Sequence, residues 1–531
     1  MKGSICMYRW LLIILFAIVS TTATAAEFNL DSLLVQSVGG PAALDSLHCV
    51  SSFRAEGVVD LNGQAGRFVE LFSAPDYLYL EVKIGSIVLV QAYDGHHAWQ
   101  KDHNGRISEL SGYERKALLS NIYFESFSYL LPDRMEGRYE YVGQTEYDGQ
   151  KYHEVIYYPL NEDTVRVFFD PVSGLRQLMF SKLDNLSSTS QMGDYRYIGG
   201  ILIPHFSHTS FEGVPLFTSL ETENFELNVD LDSSVFIMPD SAVCDYHFAD
   251  STESIKIGFE YCLGHIWLPA TINGVKKIWF ILDSGASANF FHTSAIADLN
   301  LPREGSLPVA GMTGYEEVAL VRSDSISIGS LTLLNQIAGS MDLSMFDGSL
   351  SDNQELGGIL GYDFLSRFPV MVNYRESTLT VFNPDSFVPP PGGVTVDFHL
   401  TMLVPTISGE LNGIKGDFMV DLGNSFGLVL HNSFVDRYHL EEKLDDISDN
   451  PGGLGGVGGR IGGKTAQAAT FKFGSILLQS LRVILPDQRQ GLSGSEQLAG
   501  NIGNMILENF IVLFDYKSNR LIFYDSNMEV E

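Results

Sequence analysis

Two stretches of this chain repeat each other, and that repeat limits the possible folds more than any other feature. Asn273-Gly274-Val275-Lys276 precedes Phe280-Ile281-Leu282-Asp283-Ser284-Gly285, and Asn412-Gly413-Ile414-Lys415 precedes Phe418-Met419-Val420-Asp421-Leu422-Gly423. Each copy reads as a hairpin turn, an apolar strand and an Asp-x-Gly at the strand end. Ser287 and Ser425 follow at the same offset. Later, Gly358-Ile359-Leu360-Gly361 parallels Gly500-Asn501-Ile502-Gly503, and the alignment then runs without a gap to Phe382 and Tyr524. Leu365/Leu507, Phe368/Phe510, Val370/Val512, Tyr374/Tyr516 and Leu379/Leu521 are identical pairs. Asp283 lies 78 residues before Gly361, and Asp421 lies 82 residues before Gly503. Two blocks in one order at nearly one spacing indicate a tandem duplication of a lobe.

A strand that ends in Asp-x-Gly presents a carboxylate at its tip, and the glycine lets another chain approach closely. Two related lobes can bring two such carboxylates together about a pseudo-twofold axis. Carboxylates in contact cannot both ionise, so one keeps a proton. Such a pair can hold a water between a base and an acid, which suffices to hydrolyse an amide. Its titration belongs to the pair.

Around this repeat the sequence divides into segments. Residues 1–26 read as a secretory signal peptide, with Lys2 and Arg9 ahead of an apolar run and Ala23-Thr24-Ala25-Ala26 as a cleavage region. That run is short for a membrane span, so the expectation is a soluble exported protein, periplasmic or secreted, with no stable membrane anchor. Residues 27–242 carry short alternating apolar runs separated by Asn62-Gly63, Asp94-Gly95, Asn104-Gly105 and Asp148-Gly149. They predict a long, curved antiparallel sheet, with helical stretches at 30–47 and 113–131. Residues 243–254 are polar and acidic. Residues 383–393, with Pro389-Pro390-Pro391, form a linker that divides 255–382 from 394–527.

Composition narrows the function. Among 531 residues, 33 are Lys or Arg and 65 are Asp or Glu, a net charge of −32, so phosphates would be repelled and nucleic acid is excluded as a partner. Cys49, Cys244 and Cys262 remain after the leader. A Cys244–Cys262 bridge and three unpaired thiols both fit. No clustered Cys/His pattern supports a metal, and no cofactor is expected. His96, His97 and His103 read as surface or turn residues, and Asp363 and Asp515 as structural. Gly458-Gly459-Arg460-Ile461-Gly462-Gly463-Lys464-Thr465 fits a phosphate-loop pattern. That mechanism requires a strand before the loop and a helix after it, whereas Ala469-Thr470-Phe471-Lys472-Phe473 alternates like a strand.

Two resemblances follow. Phe53-Arg54-Ala55-Glu56-Gly57, Tyr93-Asp94-Gly95 with Trp99, and Asp194-Tyr195-Arg196 leading to Ile203-Pro204 make 27–242 resemble the periplasmic lipoprotein-carrier (Lol-type) β-sheet fold. That resemblance implies a concave apolar face for a lipid, lipoprotein or peptide. The Asp-Ser-Gly and Gly-Ile-Leu-Gly motifs make 255–527 resemble the retropepsin-like aspartic proteases, with two β-barrel lobes fused as in the pepsins. The expected fold is therefore mainly β. By that resemblance Asp283 and Asp421 are the catalytic dyad, and Ser284, Gly285, Gly423, Gly361 and Gly503 support its loops. Gly311, Gly314 and Tyr315 in lobe one, and Gly455, Gly456 and Gly458 in lobe two, are flap candidates. Leu422 departs from the family's Thr or Ser, so half of the hydroxyl lock between the loops is missing. The implied function is an exported, monomeric aspartic endopeptidase acting on peptides or proteins. The rivals are a catalytically degenerate peptide-binding module and a lipid or lipoprotein carrier working through 27–242.

Overall fold

The computed structural model describes residues 28–528 except 162–163, 184–185, 213–215, 240–244, 249–252, 312–313, 352–353, 451–453, 457–458 and 488–490. The leader expected at 1–26 and Cys244 fall outside the described residues. Cys49 and Cys262 are free thiols, so Cys262 is not bridged.

The N-terminal region is one antiparallel sheet of 13 strands. Asn62-Gly63 and Asp148-Gly149 adopt positive φ, which matches the right-handed twist of the strands they join. The first strand, Ser52–Leu61, sits beside the last, Phe217–Leu227, so the two ends of the meander meet in the middle of an open sheet. Helices cover one face. The stretch expected as a single helix at 30–47 is two, Leu30–Ser37 and Pro41–His48. Gly39 and Gly40 take positive φ between them and Pro41 starts the second helix, where its missing N–H costs nothing. The later helix runs Gly112–Glu125. Leu34, Leu119, Ile122 and Tyr123 from these helices pack with Phe53, Phe72, Val155 and Tyr157 of the strands.

The two lobes share a second core, which contains Ile266, Phe280, Leu282, Ile407, Phe418, Val420 and Leu422. Each lobe places its Asp-x-Gly strand parallel to its later Gly-rich strand. Lys276–Leu282 pairs with Leu356–Leu360, and Ile414–Val420 pairs with Leu498–Ile502. A six-stranded sheet joins the lobes. At its centre Val370 pairs with Phe514, Met371 with Leu513 and Val372 with Val512. Val370 and Val512 are matched residues of the repeat, so this register is self-complementary about the Met371/Leu513 pair. The twofold relation between the lobes passes through that point.

The N-terminal sheet is seated on both lobes. The Gln64 amide bonds Ser306 in both directions, to its C=O at 2.6 Å and from its N–H at 2.8 Å. This fixes a strand of the lobe-one hairpin. The 102–106 turn inserts behind lobe one, where Asn104 Nδ2 donates to Asp363 Oδ1 at 2.9 Å and Asn104 Oδ1 accepts from Ile337 N–H at 2.8 Å. Ser111 Oγ donates to the Leu400 carbonyl of lobe two at 2.7 Å. Lys182 pairs with Glu496 at 2.6 Å. His96 and His97 are exposed turn residues, but His103 is not at the surface. Its side chain is 12% exposed and stands 3.7 Å from Asp363. Burial disfavours its charge, yet the Asp363 carboxylate outweighs that and holds the imidazole above its ordinary range.

Candidate active site

The two Asp-x-Gly loops are built alike. Asp283 N–H donates to Leu360 C=O and Asp421 N–H to Ile502 C=O, both at 2.9 Å, which fixes each aspartate at the end of its parallel strand pair. The following turn folds back onto the side chain. Gly285 N–H donates to Asp283 Oδ1 at 2.7 Å, and Gly423 N–H to Asp421 Oδ1 at 2.8 Å. The loops meet face to face. A methyl added at Gly285 would stand 2.5 Å from Asp421 Cγ, and one at Gly423 would stand 2.5 Å from Asp283 Oδ1. Each glycine is therefore what lets the opposite carboxylate approach.

The two carboxyl groups interact directly and share a hydrogen bond. Burial, the Asp421 charge and that hydrogen bond push Asp283 well above the carboxylate range. Burial also raises Asp421. Opposing that shift are the hydrogen bond from Asp283, the N–H groups of Gly423 and Asn424, and the amide of Asn501. Asn424 N–H reaches Asp421 Oδ1 at 3.1 Å, and Asn501 Nδ2 reaches Oδ2 at 3.2 Å. Asp421 thus has more donors around its carboxylate than Asp283, which favours the ionised form there.

Ser284 is fully buried and joins the loops. Its hydroxyl donates to Val420 C=O at 2.7 Å and accepts from Leu422 N–H at 2.9 Å. Leu422, the departure from the family pattern, points its side chain into the shared core at 0% exposure. Gly361 and Gly503 directly follow the Gly-rich strands, Leu356–Leu360 and Leu498–Ile502, that pair with the Asp-x-Gly strands. Gly361 N–H donates to Asn289 Oδ1 at 2.8 Å, and Gly503 N–H to Gly427 C=O at 2.6 Å. Asp363, expected as structural, accepts from Asn289 N–H at 2.7 Å and so supports the lobe-one loop from behind. Asp515 bonds Arg520 and the Ser518 N–H.

The flap candidates divide. Gly311 pairs with Gly314 at the end of a hairpin formed by Arg303–Gly311 and Gly314–Ile328. Its strands lie against lobe-two residues Gly491–Gly494. In lobe two, Gly455 and Gly456 belong to a small hairpin, Leu454–Gly456 with Gly459–Ile461. Gly458 and the Tyr315 side chain fall outside the described features. Gly463–Phe473, which follows the phosphate-loop-like pattern, is a strand.

Sequence reasoning missed four residues of the site. Asn501 and Asn504 stand where the matched block has Ile359 and Tyr362. Those departures from the repeat were the available signal. His265 is pulled below its ordinary range by burial, beside the Gly423 and Leu263 carbonyls. His431 lies behind Asn501, fully buried, and burial lowers it to about 4.

This burial makes His431 a source of acid sensitivity. Its folded pKa lies below the ordinary value near 6.5, so its contribution is complete above that value. It drains away as pH falls towards 4. The loss is about 3 kcal/mol. Chemical denaturation at pH 6.5 and pH 4 should show His431→Gln losing less stability than the parent over that interval. Equal losses would contradict the assignment.

A comparison with curated proteins finds no match. Among solved structures, the chain is similar to the crystal structure of aspartic proteinase from Irpex lacteus, at 13% identity and a TM-score of 0.35, over 52% of this chain and 98% of that one. Residues 268–364, which carry Asp283 and Gly361, match the family model described as aspartyl protease, and this lobe is in that respect similar to the aspartyl proteases.

Proposed function

We propose that this protein is an exported aspartic endopeptidase and that Asp283 and Asp421 are its catalytic pair. The observation that supports this best is the mutual approach of two backbone-cradled carboxylates, each against the other lobe's glycine. In this reading Asp421 accepts a proton from a water held between the carboxyl groups. The resulting hydroxide bonds to the peptide carbonyl carbon while Asp283 gives its proton to the carbonyl oxygen. Collapse of the tetrahedral intermediate breaks the C–N bond, and the amine leaves with a proton returned by the pair. An extended peptide suits a cleft between β lobes, since strand edges offer it main-chain hydrogen bonds.

The test is hydrolysis of unfolded polypeptide by the purified full chain. Cleavage should be blocked by a statine-type peptide, which carries a hydroxyl in place of the attacking water, and should be indifferent to serine- and cysteine-directed reagents. Cleavage unaffected by the statine peptide would contradict the reading. Leu422 supports a second reading, a lobe pair that binds peptides without cutting them. In that case the statine peptide would bind and no product would form.

A further inference from the structure

We propose that Asn504 is a positioning residue that ties the lobe-two Asp-x-Gly loop to lobe one, a link between lobes that the Leu422 side chain cannot make; this rests on the dyad reading above. In lobe one, the Ser284 hydroxyl holds the opposite loop by bonding Val420 C=O and Leu422 N–H. The matched position in lobe two carries no hydroxyl. Asn504, fully buried at the start of the short helix after Gly503, occupies the region instead. Its Nδ2 donates to Leu422 C=O at 2.6 Å and to Gly264 C=O, a lobe-one turn, at 2.8 Å. Its Oδ1 accepts from Tyr374 OH of lobe one at 2.6 Å. Both amide hydrogens and the oxygen are therefore used, and two of the three bonds cross between lobes.

The repeat itself shows that this is a departure. Asn504 replaces the position held by Tyr362 in lobe one, and Tyr374 is matched by Tyr516. There the two tyrosine rings meet edge to face, 5.8 Å between centroids, and Tyr516 OH has no hydrogen-bond partner among the described residues. The hydrogen-bonded arrangement exists only beside the loop that lacks a hydroxyl. Leu422 is thus held on both sides of its residue, by Ser284 at its N–H and by Asn504 at its C=O. Asp421, its neighbour, is placed through that backbone.

The geometry sets the outcomes for variants. Asn504→Ala removes all three bonds. Asn504→Asp is nearly isosteric but, when ionised, turns an acceptor towards two carbonyls. In the full chain, hydrogen exchange read on peptides covering 418–428 and 263–266 should accelerate by about tenfold or more in either variant. With a peptide substrate, kcat should fall by about 10- to 100-fold with KM nearly unchanged. Leu422→Thr should recover part of that loss in the Asn504→Ala background and have a smaller effect in the parent, the sign of coupled residues. Tyr374→Phe, which removes one hydroxyl, should change exchange in the same direction and serves if the Asn504 variants do not fold.

Unchanged exchange at both loops in these variants would overturn the proposal. A lowered melting temperature with unchanged local exchange and kcat would also overturn it, because that is what a merely structural residue gives. A parent that neither cleaves peptides nor binds a statine peptide would overturn the protease reading alone, and exchange would still decide the role of Asn504.

Discussion

Asparagine at either Asp283 or Asp421 should lower kcat/KM for peptide cleavage by about 10²- to 10⁴-fold while the protein stays folded. Loss of activity follows because neither variant can both take and give a proton. Retention of the fold follows because an amide resembles the protonated carboxyl that one member of the pair already carries. The two variants should differ in stability. Burial and the Asp421 charge raise Asp283 well above the carboxylate range, so its charged form is the costlier of the two. Asp283→Asn should therefore melt at or above the parent temperature near neutral pH. Asp421→Asn loses an anion that accepts from Gly423, Asn424 and Asn501, so it should gain less. Thermal melts beside the kinetic assay would check both. Undiminished cleavage in both variants would remove the catalytic assignment.

The second large effect is steric. Gly285→Ala and Gly423→Ala should each reduce kcat by about 100-fold or more, since displacement of about 1 Å at a reacting group has that cost. Neither glycine has the positive φ that would strain an alanine backbone. The effect comes only from a methyl placed 2.5 Å from the opposite carboxyl group. One lobe must retreat from the other, at about 1–3 kcal/mol of stability. Gly274→Ala is the control. Its φ is +67° and its surroundings are open, so it should cost about 1–2 kcal/mol of stability without changing kcat. Parent-like kinetics in the Gly285 and Gly423 variants would show that the two loops do not abut in solution.

The parts of this structure that were legible in sequence are those fixed by short-range rules. Asn273-Gly274 and Asn412-Gly413 take the positive φ of tight hairpins, so the strands leading to both aspartates could be placed. The repeat then located Gly361 and Gly503, because a close backbone crossing leaves little choice but glycine. The missed parts depend on contacts between distant segments. His103 lies in a turn, as its sequence suggests, but its burial against Asp363 depends on a partner 260 residues away in sequence. Asn501 and Asn504 broke an otherwise matched block, but the meaning of each break required knowing what lay across the axis. For Asn504 that is Tyr374 and Gly264, both from the other lobe. The helix expected at 30–47 failed locally, where Gly39-Gly40-Pro41 outweighed the apolar pattern on either side.

The most direct measurement is a crystal structure of the full chain with a statine-type peptide bound. The peptide should lie extended between the lobes, with its hydroxyl within hydrogen-bonding distance of both the Asp283 and Asp421 carboxyl groups. A peptide bound elsewhere, or these two side chains turned apart beneath it, would contradict a shared-proton hydrolase.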